Sequence, residues 1–178
     1  FLEGSEQFSF GGIDKSPLAF HSRTIGLSEM GKKIDVVGGV KITGRQGPLG
    51  IGMLGMRLDN YDSLDADEVF VSRFTYDLME ESKIGTIFTY GDPQANVGNH
   101  LAGVDLNLRN SEWWHGQSVS WHSFYMTTND DAKGSDDVVG TWFSLPNYPF
   151  RMGGHWVRTG DDFEPALGFV RRRGGQSS

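Results

Sequence analysis

The chain has 178 residues, no cysteine, and a formal net charge of -7 from 16 basic and 23 acidic residues. That length suffices for one domain with a real core, and the absence of cysteine excludes disulfides, thiolate catalysis and thiolate zinc sites. The acidic residues gather in turns at 62–68, 130–137 and 161–164, where they read as solvated loop tips. No basic stripe with interleaved aromatics runs through the sequence, and Arg171, Arg172 and Arg173 alone are too few, so nucleic acid is not expected as a partner.

No apolar run reaches the ~18 residues of a membrane helix. A β-barrel is not excluded by this, because it spans with alternating strands of ~10 residues and low average hydropathy. The mean hydropathy of -0.39 therefore does not discriminate.

In chain order, residues 1–34 are rich in glycine and aromatics and show no sustained period. They read as an extended lead-in or a segment packed inside something. From residue 35 the pattern changes to a period of two, which places alternate residues on opposite faces of a strand. In the first strand Val40 and Ile42 oppose Lys41, Thr43 and Arg45, and Gln46, Gly47 and Pro48 turn the chain. Leu49, Ile51 and Met53 begin the next strand on one parity, while Leu54, Met56 and Leu58 continue it on the other. That slip predicts a β-bulge near Met53 or Leu54.

Residues 60–67 form a polar loop. Residues 69–79 then set Phe70, Phe74, Tyr76 and Leu78 against Arg73, Thr75 and Asp77. The cleanest alternation follows: Ile84, Thr86, Phe88 and Tyr90, and then Ala102, Val104, Leu106 and Leu108 separated by Gly103, Asp105, Asn107 and Arg109. Further strands are expected at 119–128, 138–145, 151–159 and 166–172. About nine strands with mostly short connections predict an antiparallel meander. No helix of any length is expected.

The expected fold class is therefore all-β: an antiparallel up-and-down barrel over 35–174, preceded by the 1–34 segment and followed by a disordered tail at 175–178. The pattern admits two orientations. With the apolar faces inward, the chain is a soluble sandwich or barrel. With them outward, it is part of a larger transmembrane barrel whose lumen is lined by Lys41, Thr43, Arg45, Arg73, Thr75, Asp105, Asn107 and Arg109. Aromatics near strand ends (Tyr61, Tyr90, Trp113, Trp114, Tyr125 and Tyr148) suit interfacial girdles and lean toward the second.

Several segments, in order, carry a family resemblance. They are Phe1-Leu2-Glu3-Gly4 with Phe8-Ser9-Phe10-Gly11-Gly12, the stretch Phe20-His21-Ser22-Arg23-Thr24-Ile25-Gly26-Leu27, and Val37-Gly38-Gly39-Val40-Lys41-Ile42-Thr43-Gly44. Lys83-Ile84-Gly85-Thr86-Ile87-Phe88-Thr89, Gly103-Val104-Asp105-Leu106 and Phe163-Glu164-Pro165-Ala166-Leu167-Gly168-Phe169-Val170-Arg171-Arg172 complete the series. Their order and spacing resemble the DUF5916 family, bacterial proteins of unassigned activity. The resemblance implies an outer-membrane β-barrel, often following a module similar to family 9 carbohydrate-binding domains. It also implies that such a module would precede Phe1 and that the barrel would continue past Arg173. His21 and Thr24 depart from the family, which more often has an aromatic and an arginine there. The family supplies no catalytic residues.

Motifs for bond-making chemistry are absent. The adjacent pairs Asp130-Asp131, Asp136-Asp137 and Asp161-Asp162 lack the separation across a bond that glycoside hydrolysis needs. None of His21, His100, His115, His122 and His155 forms a metal-binding pair, and no nucleophile elbow or phosphate-binding loop occurs. The run Asp59, Asp62, Asp65, Asp67 and Glu68 offers closely spaced hard oxygens for calcium, but Leu64 stands where a calcium-binding loop of the EF-hand type needs glycine. Trp113 and Trp114 offer either an interfacial anchor or a stacking surface for a sugar ring.

The expected protein is thus a non-enzymatic outer-membrane barrel segment with a porin-like transport or surface-anchoring role, in contact with outer-membrane lipid and without cofactor. The alternative is a soluble sandwich module, periplasmic or extracellular, that binds carbohydrate or a protein partner, or is one subunit of a larger assembly.

Overall fold

A computed structural model describes residues 5–11, 16–28, 31–147, 149–170 and 175–177; the side chains of Ser5, Glu6, Trp114 and 175–177 are not among the features described. The segments at 1–4 and 171–174, Gly12 and Tyr148, which entered the expectations above, lie outside those residues.

The alternating segments form one antiparallel sheet in sequence order. Its strands are β1 (Val36–Gln46), β2 (Leu49–Leu58), β3 (Glu68–Met79), β4 (Ser82–Tyr90), β5 (Asn99–Glu112), β6 (Gln117–Asp130), β7 (Gly134–Pro146), β8 (Arg151–Thr159) and the short β9 (Gly175–Ser177). A single helical turn, α1 (Trp113–Gly116), links β5 to β6. The chain is all-β, as its period of two requires. The sheet is not closed: among the described residues β1 pairs only with β2, and β9 only with β8.

The two ends of the sheet differ. At one end the links are tight: Gly47-Pro48, Glu80-Glu81, α1, and residues 147–150. Gly47 supplies the positive φ of 56° that this two-residue turn requires. At the other end lie the longer loops 59–67 and 91–98, the short link 131–133, and the stretch from 160 to 170.

Three expectations are corrected. No bulge interrupts β2, whose pairing with β1 and β3 runs in unbroken register through Met53 and Leu54. The parity slip instead records two greasy faces in succession. Leu49, Ile51 and Met53 line one face, while Leu54 and Leu58, each 1% exposed, enter the core from the other. The register shifts fall between Val36 and Gly38 and between Asp77 and Met79. Second, of the expected strand at 166–172, the described residues 166–170 are not a strand of the sheet. Phe169 makes one antiparallel bridge with Leu18, and the Pro165–Gly168 backbone closes a turn. Third, the tail at 175–178 is not wholly disordered, because Gly175–Ser177 pairs with Val157–Thr159 of β8.

The lead-in segment and the stretch after β8 together cover one face of the sheet. Phe8 and Leu167 join Leu54, Leu58, Val69, Val71 and Ile34 in one buried cluster. Ala19 and Phe163 join Ile87, Leu101, Phe124, Met126, Val138 and Val157 in a second. Phe20 packs against both, so the two form one continuous core. Backbone hydrogen bonds tie the covering pieces to each other: Leu18 N–H to Phe169 O at 2.8 Å and His21 N–H to Leu167 O at 2.8 Å. Asn99 anchors them to the sheet, donating to Asp130 Oδ2 (3.0 Å) and to the Glu164 carbonyl (2.9 Å). The driving force is burial of these apolar side chains, worth about 1.5–3 kcal/mol for each one fully buried.

Candidate functional site

Register and burial assign every paired strand residue to the covered face or to the opposite, bare face. The bare face carries Val40 and Ile42 of β1, Leu49, Ile51 and Met53 of β2, and Phe70, Phe74 and Tyr76 of β3. Across the sheet it continues through Ile84, Phe88 and Tyr90, then Val104 and Leu106, then Trp121 and Tyr125, then Val139 and Phe143, and ends on Trp156. Val40 is 68% exposed and Val104 41%. The periodic apolar set is therefore the uncovered one, and among the described residues no second sheet lies over it.

Charge is almost absent from this face. Its register-paired Lys, Arg, Asp and Glu side chains are Arg57, Glu68, Asp137 and Arg158, and they neutralise each other in two pairs. Arg57 Nη1 lies 3.2 Å from Glu68 Oε1, and Arg158 Nη2 reaches both oxygens of Asp137 at 2.8 and 2.9 Å. Between His100 and Asn110 of β5 the bare face shows only Ala102, Val104, Leu106 and Leu108. Ten residues at ~3.4 Å each cover about 34 Å, and a strand tilt of ~40° reduces this to about 26 Å of height.

The covered face divides along the strands. Toward the long loops it is the apolar core just described. Midway it holds Arg73 and Asp105, which are 2% and 7% exposed. They meet across β4: Arg73 Nη2 donates to Asp105 Oδ2 at 2.9 Å, and Nη1 approaches Oδ1 to 2.6 Å as an electrostatic contact outside hydrogen-bond alignment. Gly85 lies between them in the sheet, and a β-carbon there would sit 2.5–2.7 Å from the guanidinium. Only glycine leaves room for the arginine to cross.

The lead-in segment completes this arrangement. Arg73 Nε donates to the Ser9 carbonyl at 3.1 Å, and Gly11 N–H donates to Asp105 Oδ2 at 3.2 Å. The Phe10 ring lies 5.1 Å from the Arg73 Cζ, close enough for a cation–π contact, and its edge rests over Gly103. Phe8 lies over Gly52 in the same way. Two strand glycines thus act as sockets for two aromatics of the lead-in.

Toward the tight turns the covered face becomes a polar cavity of about 580 Å³, with Arg45, Asp77, Lys83, Asn107, Arg109 and His122 in its lining. Arg45 and Asp77 form an ion pair. His122 stacks edge-on against Trp142 at 4.8 Å, and its Nδ1 is buried without a hydrogen-bond partner. The structure places the lumen candidates Lys41, Thr43, Arg45, Arg73, Thr75, Asp105, Asn107 and Arg109 on this face, but not in one site. Arg73 and Asp105 are sealed, Arg45, Asn107 and Arg109 line the cavity, and Lys41 lies on exposed β1.

The calcium candidates do not come together. Asp59 Oδ1 accepts from Asn60 N–H, Asp67 Oδ2 accepts from Asp92 N–H, and Glu68 pairs with Arg57. Among the described residues no group of three His, Asp or Glu side chains could hold a metal ion. Asp67 and Asp92 share the long-loop end, and the carboxyl pKa of each is raised, first by burial. Asp92 feels the Asp130 charge in addition. The turn carboxylate Glu81 is lowered instead, by hydrogen bonds from Ser111 Oγ and N–H. Trp113 is exposed at α1.

Sequence reasoning missed the bond between the lead-in and the sheet. The signal was present in the glycines at 52, 85 and 103, which sit at core-facing parity, where a void needs a filler from elsewhere in the chain. Set against family models, curated proteins and solved structures, the chain matches none of them.

Proposed function

We propose that this chain is wall of an antiparallel β-barrel in a bacterial outer membrane, with its bare face toward lipid. The supporting observation is the bare face itself. An apolar surface that extends across the strands, whose four charged side chains pair off and which stands about 26 Å tall on β5, fits the ~25 Å band of transmembrane barrels. Exposed apolar patches beyond a few hundred Å² mark a membrane or a partner, and a partner in water would have to cover all of these strands at once. Tyr90 near one edge of the band and Trp121 toward the other suit the interfacial positions where such rings settle. A soluble sandwich would require a second sheet over Phe88 and Val104.

The resemblance to the DUF5916 family agrees with this reading. The proposed work is non-enzymatic: transport through, or anchoring at, the outer membrane, with lipid as the principal partner. An open edge at β1 cannot face hydrocarbon, where each unpaired backbone group costs several kcal/mol, so in the membrane β1 pairs with a further strand. Fractionation tests the proposal. The protein should float with lipid vesicles and resist extraction by alkaline carbonate. Recovery as a monomer in detergent-free buffer would overturn it.

A further inference from the structure

On the barrel reading, the lead-in segment lies inside the wall, and its contacts say what it does there. Residues 7–11 make two kinds of contact. Phe8 and Phe10 fill the hollows over Gly52 and Gly103, while the Ser9 carbonyl and the Gly11 N–H complete the hydrogen bonding of Arg73 and Asp105. Burial of an ion pair gives little stability for its desolvation cost, and such pairs are best attested where they specify one arrangement over another. Here the pair spans three strands and grips a segment distant in sequence: Gly11 and Asp105 are 94 residues apart. Toward the tight turns the same face is hollow and polar; from Arg73 toward the long loops it is filled.

We infer that residues 7–11 are a stopper, latched to the wall by Arg73 and Asp105, so that the interior is sealed at mid-height rather than open from end to end. This rests on the barrel reading and deepens it: the protein is closed at rest, and passage requires the latch to release.

The geometry supplies its own test. A β-carbon on Gly52 would lie 3.6 Å from Gln7 Cβ, within the ~3.5–4.5 Å that a disulfide bridges, and the chain has no other cysteine. The full-length protein is reconstituted into liposomes, and swelling in an isotonic pentose solution reports passage. Wild type should swell its vesicles no faster than protein-free controls do. Arg73→Gln and Asp105→Asn should swell them measurably faster. Adding Gln7→Cys with Gly52→Cys to either variant should abolish that gain when oxidised, and dithiothreitol should restore it.

Swelling by wild type at the rate of an open pore would overturn the stopper. So would latch variants that float with vesicles, keep their strand signal and still do not swell them. Failure of the cysteine pair to cross-link in the folded wild-type background would remove the segment from the wall altogether, and this readout does not depend on the latch variants folding. Failure of wild type to float with vesicles would overturn the barrel reading, and the stopper with it.

Discussion

Val104→Arg separates the lipid-facing reading from its rivals by magnitude. Val104 sits at the centre of the bare face, paired in register with Thr86 on β4 and Tyr125 on β5's other neighbour, β6. Its 41% exposure means that a long side chain can be placed there without disturbing the core. In water such a surface change costs within about 0.5 kcal/mol either way. At the midplane of a bilayer, arginine on the lipid face of a barrel costs about 2–4 kcal/mol, falling to about 0–1 kcal/mol near the interface. Val104 is about 14 Å along the strand from His100, which marks one end of a band about 34 Å long, so it lies close to the midplane and the cost should be about 2–4 kcal/mol. Thr127→Arg, on the same face but two residues closer to the long-loop end of β6 than Tyr125, should cost less. The assay is reversible denaturant unfolding in phospholipid vesicles, followed by the fluorescence of the tryptophans. Equal, negligible costs at both positions would refute the argument.

Other outcomes follow from the covered face and the loops. Asp105→Ala leaves Arg73 buried without its carboxylate and should cost about 3–5 kcal/mol, whereas Arg73→Met with Asp105→Leu should lie near wild type; a double-mutant cycle in denaturant unfolding reads the difference, and additive costs would contradict it. Gly85→Ala pushes a methyl into the guanidinium and should cost about 1–3 kcal/mol, while Gly38→Ala, with nothing within 4 Å of the added carbon, should not. Asp92 has a raised carboxyl pKa, so its folded state holds the proton more firmly than the unfolded chain does. Its charge therefore costs stability above the raised pKa, and the cost is relieved as pH falls through it. Asp92→Asn should raise the unfolding midpoint at neutral pH, with the gain shrinking in acid; a gain that grows in acid would contradict the sign.

Strand order and facing were legible because alternation is a local property. Ile84, Phe88 and Tyr90 announce one side of β4 whatever lies against it. Which side faces solvent was not legible, because inverting the sheet leaves the pattern unchanged. The deciding fact is long-range: Phe8 and Phe10 occupy the face of Gly52 and Gly103, and nothing in residues 1–34 has a period that points there. β2 shows the same limit. Leu54, Met56 and Leu58 look like a register slip when read alone, yet they are the place where the covering segments supply a core for the second face. The bond between Arg73 and Asp105 was likewise hidden. Each residue alternates with apolar neighbours as a wetted lumen residue would, and only the socket at Gly85 and the arrival of Ser9 and Gly11 remove both from water.

The central claim is that the bare face touches hydrocarbon. Nitroxide labels placed singly along β5 at residues 102–108, with the protein in lipid vesicles, test it most directly through collision with oxygen and with a water-soluble nickel chelate. The account predicts that Ala102, Val104, Leu106 and Leu108 collide with oxygen and not with nickel, while Asn107, which lines the polar cavity, does not follow them. Nickel collisions at Val104 and Leu106 equal to those of a loop label would contradict it.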